Sequence, residues 1–396
     1  MSVAQHTYLE QTDKYVETIE SGNISAINSV QHHFSGISFY EPGNPCRYTC
    51  ADRPPAPFTG YGREQLLSFA NGLLQRIHDT CSGIVYTKCV LITEKRRTKL
   101  IRQKQELDWS YYHGRLECVA EYRISGKRFE QVLTDGFTCF NHDTEFKWWE
   151  QINTEKLLQS VRETAGYESI SDFKHDTYDL LLASDAAGTL MHETFGHLFE
   201  QDNLGFNDEI IVELSKLHLH SDIRIKDQPF ILDCWGYAEF DDSGCPSKVL
   251  NIVQEGKLTD EVIQGQRISN CRRDHYTSPL QYRVSNTILE KGSASCSHVL
   301  DDLKKGIYIR KIDQCFIDPV TGKIILPVIE AYKICCGQII GLLSPFTIVS
   351  NVIEIGKGIK AVCTDYFETG LVCGKLGHQV LVGKGSPSVF LHKLKI

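Results

Sequence analysis

Residues 190–202 read LMHETFGHLFEQD, and the interpretation of the chain begins there. Met191, Phe195 and Leu198 recur at i, i+4 and i+7, the spacing of a helix that lays one face on a core. The same stretch carries His192, Glu193 and His197. Neutral imidazoles are ordinary zinc ligands, and a carboxylate beside such a metal can take a proton from water, so the residue types suggest a hydrolytic metal site. The spacing is HExxxH, not HExxH, and in a regular α-helix His192 and His197 would stand about 140° apart around the axis. A one-residue π-bulge brings residues at i and i+5 together, and Gly196 sits where such a distortion is tolerated. The motif alone leaves two readings open: a ligand pair, or two histidines satisfied separately in an amphipathic helix.

Upstream of this helix, YDLLLA (178–183) reads as an apolar strand, and Ser184-Asp185 as the helix N-cap. The helical pattern runs to about Glu200. Downstream come glycine-punctuated β-type segments: FILDCWGYAEF, KVLNIVQEGKL, GIYIRKIDQCFID and KIILPVIEAYKI. In the first half, residues 63–78 show helical periodicity, and 83–93, 107–113 and 116–124 read as strands. Their polar joints, EKRR and His113-Gly114, suit hairpins. A second helix is expected over 145–165, and 166–174 reads as a linker. The fold class is therefore α+β, in two domains. An N-terminal domain over 1–172 combines a small sheet with helices, and a mainly antiparallel β domain over 173–396 carries the HExxxH helix.

The composition is 41% hydrophobic and 23% charged, with no run approaching the roughly 20 apolar residues of a membrane span. The first twenty residues carry acidic side chains and no apolar core, unlike a secretory signal, so a cytoplasmic protein is expected. A net charge of −8 argues against a nucleic-acid partner. The one basic run, KRRTKLIRQK (95–104), reads as the solvated face of a strand pair. Fifteen cysteines without a CxxC pair read mostly as small buried hydrophobes in a reducing compartment. The neighbours Cys335 and Cys336 point to opposite faces of a strand and do not suit a joint ligand role.

A catalytic zinc normally has three protein ligands, so a third must come from elsewhere. Cys373, in TGLVCGKLGHQVLVGKGSP, is a candidate because flanking glycines suggest a tight loop presenting a thiolate. Here the chain resembles a known family. LMHETFGHLFEQD is similar to the HExxxH helix of the TldD/PmbA metallopeptidases, and VCGKLGHQVLVGKGSP to their cysteine-containing C-terminal signature. RRDHYTSPLQYRVSNT (272–287), GIYI and TGKIILPVIEAYKI resemble the segments between, so the likeness runs from Tyr178 to about Pro387.

The resemblance implies Zn2+ held by His192, His197 and Cys373, with Glu193 as general base. It also implies an extended or unfolded peptide substrate, including natural-product precursors whose leader is removed, and a homodimer or a heterodimer with a TldD/PmbA paralogue. The intact HExxxH places the chain on the catalytic side of such a pair. The alternative is a non-catalytic peptide-binding or scaffolding subunit. His275, Tyr276 and Arg283 stand as candidates for steadying an oxyanion; Glu200, like Asp202 a match to the family's helix end, is either an orienting partner for an imidazole or a plain helix-end carboxylate. Tyr282 departs from the family pattern, where proline precedes the arginine. His378, five residues after Cys373, is read as a solvent or loop histidine, with a contribution to the active site as the alternative.

Overall fold

A computed structural model of the chain describes residues 6–20, 30–40, 47–50, 63–81, 83–102, 105–124, 126–140, 148–170, 176–274 and 278–396. Its first half is built on a six-stranded antiparallel sheet. The strands are β1 (His6–Glu20), β2 (Val30–Tyr40), β3 (Arg47–Cys50), β4 (Ile84–Arg102), β5 (Gln105–Ile124) and β6 (Lys127–Phe140), in the order β3-β2-β1-β4-β5-β6. Helix α1 (Arg63–Thr80) buries Leu66, Ala70, Leu73, Leu74 and Ile77, the 3.6-residue stripe visible in its sequence. It packs on β4 and on α2 (Thr154–Ala165), whose Leu157, Leu158 and Val161 are buried in turn.

The sheet is larger than the small one expected, and two of its expected hairpins are absent. EKRR lies within β4 and His113-Gly114 within β5, so three short runs are in fact two strands of 19 and 20 residues. Polarity misled because the rest of the fold buries Arg96, His113 and Gly114. Arg96 donates to the carbonyl of Arg273 at 3.0 Å, and His113 is sealed, with its Nδ1 2.9 Å from Thr138 Oγ1. Gly114 serves close packing, since a Cβ there would fall 1.9 Å from Trp148 Cγ. Within the basic run, Arg97 and Lys99 pair across the strands with Asp108 and Glu106 on β5, as expected of a solvated strand face. In place of one helix over 145–165 the chain makes a 3-10 turn, Trp148–Gln151, and then α2. The expected linker holds a short strand, Ser169–Ile170, paired with Gln338–Leu343. The expected division at 172/173 lies outside the described residues.

The second half contains two larger sheets, mostly antiparallel. One runs Lys257–Leu258, Leu250–Gln254, Ile225–Asp227, Asn286–Leu289, His378–Ser386, Phe367–Lys375. The other centres on Val389–Lys395, Thr177–Leu182, Lys305–Ile312 and Lys323–Cys335. Strand Lys323–Cys335 alternates buried and less buried side chains over most of its length, the period-two signature that made it legible. FILDCWGYAEF, by contrast, is a chain of turns and not a strand. Its Trp235 is packed so tightly that a Cβ on Gly370 would meet Trp235 Cδ2 at 1.8 Å, and one on Gly136 would meet Cζ2 at 2.8 Å. This loop thereby joins the first sheet to strand Phe367–Lys375. Helix Ser184–Met191 contacts strands of both C-terminal sheets, His378–Ser386 and Lys305–Ile312. Among the described residues, no helix is long and apolar enough to cross a membrane.

Candidate metal centre

The HExxxH helix begins at Ser184 as an α-helix, widens to a π-turn over His192–Gly196 and ends in a 3-10 turn, His197–Phe199. The backbone N–H of His197 donates to the carbonyl of His192, an i to i−5 bond that adds one residue to the turn. The bulge sets the two imidazoles edge to face, with ring centroids 4.8 Å apart. Met191, Phe195 and Leu198 are wholly buried and anchor the element from its other side. Gly196 admits a neighbouring strand, since a Cβ there would stand 3.0 Å from both Thr287 Oγ1 and Val284 Cγ1. The N-cap differs from expectation. Ala183 occupies it without a side-chain bond, while Ser184 donates to Asp365 at 2.9 Å and Asp185 pairs with Lys384 at 2.8 Å.

Cys373 meets this helix from 176 residues away, its Sγ 3.0 Å from His197 Nε2. It sits within strand Phe367–Lys375, not in a loop. The two-residue turn Leu376-Gly377, with φ of 49° and 83°, follows it and returns the chain as His378–Ser386. The glycine-rich signature thus encodes a tight hairpin, with the cysteine on its arm. One ligand atom from each of His192, His197 and Cys373 lies within 4.8 Å of the others.

The far side of each imidazole is held by the protein. Thr287 Oγ1 lies 3.3 Å from His192 Nδ1, and Glu200 Oε2 lies 3.1 Å from His197 Nδ1. Both Nε2 atoms are therefore left for the centre. His192 Nε2 is buried with no hydrogen-bond partner, which is costly for a nitrogen lone pair unless something else accepts it. Two imidazoles and a thiolate around that buried nitrogen fit a zinc-type ion.

Charge reinforces the arrangement. Burial alone would raise the Cys373 thiol, but the His197 and His192 imidazoles overcome it and hold the group well below its ordinary range. Burial likewise disfavours a charged His197, yet Cys373 and Glu200 push its pKa well up. Burial raises Glu193, an effect that His197 and His192 only partly offset. Glu200 is lowered to about 2 against its own burial by His197 and by Lys375.

Lys375 was not singled out in the sequence. It follows Cys373 by two residues on the same strand face and reaches Glu200 Oε2 at 2.7 Å and Asp202 at 2.7 and 2.9 Å. That period-two relation was the available signal. Arg283 is buried and donates to the carbonyl of Cys373 at 2.6 Å, so its guanidinium braces the cysteine strand and is not among the groups lining the cleft. His275 and Tyr276 lie outside the described residues. His378 pairs with Asp274 at 3.2 Å, away from the cleft.

A cleft of about 820 Å3 opens over the centre. Asp185, Thr189, Glu193 and His197, spaced four apart along one helix, form one side of it. Val132 and Thr134 of β6 line it as well, as does the segment Lys311–Pro319.

An α+β chain with two helix-borne imidazoles, a distant thiolate and a buried carboxylate at a cleft has the make-up of a metallopeptidase. Residues 175–396 match the family model described as the PmbA/TldA metallopeptidase C-terminal domain, and the chain belongs to that family. A metalloprotease TldD homolog of Buchnera aphidicola is 26% identical over 373 residues, covering 90% of this chain and 75% of that protein. A zinc metalloprotease TldD homolog of Saccharolobus solfataricus is 25% identical over 238 residues, 56% of this chain and 52% of its own length. The chain thus spans between half and three quarters of these two relatives. The crystal structure of TldE from Thermococcus kodakarensis superposes with a TM-score of 0.71 at 13% identity, over 99% of this chain and 96% of that one, which establishes the shared fold.

Proposed function

We propose that the chain is a zinc-dependent peptidase that hydrolyses extended or unfolded peptides or peptide precursors. The observation that carries this reading is the convergence of His192, His197 and Cys373, with Glu193 next to the first of them and facing the cleft. The three side chains would hold the ion, which when bound supplies Lewis-acid polarisation of a carbonyl and a more acidic water. Glu193 acts as general base, taking a proton from the attacking water at its carboxylate and delivering it to the leaving amine nitrogen. Its burial suits it to hold that proton in transit. Glu200 keeps the His197 Nδ1–H pointed away from the centre, and Lys375 and Asp202 complete that network. Arg283 fixes the cysteine strand through its backbone. A cleft of about 820 Å3 suits an unfolded stretch of substrate, not a folded surface. The assembly proposed is a homodimer or a heterodimer with a paralogue, in the cytoplasm, where the thiolate stays reduced.

The test compares wild type with Glu193→Gln, each loaded with zinc and assayed for cleavage of unstructured peptides by mass spectrometry. Both proteins are expected to carry one zinc per chain, and Glu193→Gln to cleave roughly 10²–10⁴-fold more slowly. A zinc-loaded wild type that binds peptides without cleaving them would instead identify a scaffolding subunit. Equal rates in the two proteins would overturn the role of Glu193.

A further inference from the structure

Among the described residues three lysines line the cleft, and they differ in their partners. Lys375 is paired with Glu200 and Asp202. Lys384 has all three of its protons placed, on Asp185 Oδ1 at 2.8 Å, the Asp185 carbonyl at 3.1 Å and Thr189 Oγ1 at 2.6 Å. Lys311 has no carboxylate within ion-pair distance among the described residues, and its Nζ donates to one backbone carbonyl, that of Val132. Glu330, the nearest buried acid on the adjoining strand, is already paired with Arg310 at 3.3 Å. Burial disfavours the Lys311 ammonium; Asp185, and to a smaller extent Glu330 and Asp313, act against that in part, while Lys384 adds to it, yet none of these carboxylates is within ion-pair distance of Lys311.

The backbone places Lys311 there by an irregularity. In strand Lys305–Ile312, Ile307 and Ile309 face the core, and strict alternation would put residue 311 beside them. The register against Lys323–Cys335 shifts on both sides of Lys311, so Ile312 takes the core position and Lys311 turns to the cleft. Bulges of this kind re-aim side chains beside active sites.

We infer that Lys311 is a specificity-determining residue that binds a carboxylate of the peptide substrate. The inference rests on the peptidase reading above and deepens it by naming a feature of the substrate. Lys311 lines the same cleft as Asp185 and Lys384, whose charges act on it. Asp185 and Thr189 precede Glu193 by two turns and one turn of helix, roughly 12 and 6 Å of rise. An extended peptide advances about 3.3 Å per residue, so a carboxylate held level with Asp185 or Thr189 would lie about two to four residues from the bond cleaved. It belongs either to the substrate's C-terminus or to an Asp or Glu side chain at that remove.

The experiment uses zinc-loaded protein and one unstructured peptide in matched forms: C-terminal acid or amide, and Glu or Gln at successive positions. Binding is read by fluorescence anisotropy on Glu193→Gln protein, and kcat/KM on protein with Glu193 intact, each with and without Lys311→Met or Lys311→Arg. One carboxylate form is expected to bind and to be cleaved roughly tenfold to a hundredfold better than its neutral match, the range of a charge-assisted hydrogen bond. The acid-versus-amide arm and the Glu-versus-Gln arm identify which carboxylate it is. Lys311→Met should bring that ratio to about one and Lys311→Arg should keep it. A loss of stability from the missing Val132 bond would lower all substrates equally and leave the ratio standing. Cleavage or binding with no preference between matched forms overturns the inference, as does a preference that survives in Lys311→Met. Preferential binding without any cleavage supports the carboxylate site and removes the peptidase reading.

Discussion

The backbone N–H of His197 reaches back five residues to the carbonyl of His192, and this one bond makes an HExxxH helix able to aim both imidazoles at a single point. A regular i to i+4 ladder would leave the rings on diverging sides of the cylinder. The widened turn is stabilised by what surrounds it. Phe195 is buried at its centre, Thr194 donates to the carbonyl of Leu190 at 2.6 Å, and Thr287 meets the His192 ring from the neighbouring strand.

Gly196→Ala tests the fit of that turn against its neighbours. The added methyl would stand 3.0 Å from Thr287 Oγ1 and Val284 Cγ1, both on a buried segment. Overpacking of this kind is expected to cost about 1–3 kcal/mol of stability, read from denaturant midpoints, and to weaken zinc retention by disturbing Thr287. Unchanged stability and metal content would show that the strand can yield.

Cys373→Ala and His192→Ala should each lower bound zinc well below one per chain after dialysis, measured by elemental analysis. Arg283 holds the cysteine strand through its backbone carbonyl, so the Cys373→Ala fold should persist by circular dichroism. Full zinc content in Cys373→Ala would remove the thiolate from the ligand set.

Trp235→Ala removes the indole lodged against Gly370 and Gly136, with His113 packed edge-on at a centroid distance of 4.7 Å. A loss of about 3–5 kcal/mol is expected from the cavity left behind, measured by chemical denaturation. The loop joins the first sheet to the strand carrying Cys373, so zinc affinity should fall with it. A loss under about 1 kcal/mol would mean that the loop contributes little to holding these parts together.

Asp227 supplies a pH dependence of its own, outside the set of residues proposed to hold the metal. It is fully buried, and burial raises its carboxyl to about 7 despite bonds from Ser285 N at 2.8 Å and Asn270 Nδ2 at 3.3 Å. Its folded pKa lies above its unfolded one, so between about pH 4 and 7 the folded state holds the extra proton. Stability from this group is therefore fully present below that window and is lost as pH rises through it, with a slope approaching about 1.4 kcal/mol per pH unit. Asp227→Asn should flatten the dependence in denaturant titrations at pH 5, 6 and 7. An unchanged slope would place its origin elsewhere.

Much of this was legible because it is local. Residues 63–78 and the alternation of KIILPVIEAYKI announce their elements through the spacing of apolar side chains. His192, Glu193 and His197 lie within six residues, and the need for a bulge between the histidines follows from helix geometry alone. Charge and glycine content were poor guides where the fold buries them. EKRR and His113-Gly114 looked like turns and lie inside strands, because Arg96 finds the Arg273 carbonyl and Gly114 lies against Trp148.

The sequence by itself determined the helix that carries the HExxxH group, the chemical kinds of donor available and the α+β class, since each depends on residue type and short-range periodicity. The family resemblance pointed to Cys373, and only the tertiary structure brought its thiol to the imidazoles, braced that meeting with Lys375 and Arg283, and turned Lys311 to the cleft. Those relations join segments up to 176 residues apart, or turn on a single register shift. Distant pairings are selected by how whole elements pack, and a one-residue slip moves a strand's side chains to its other face without changing any local propensity.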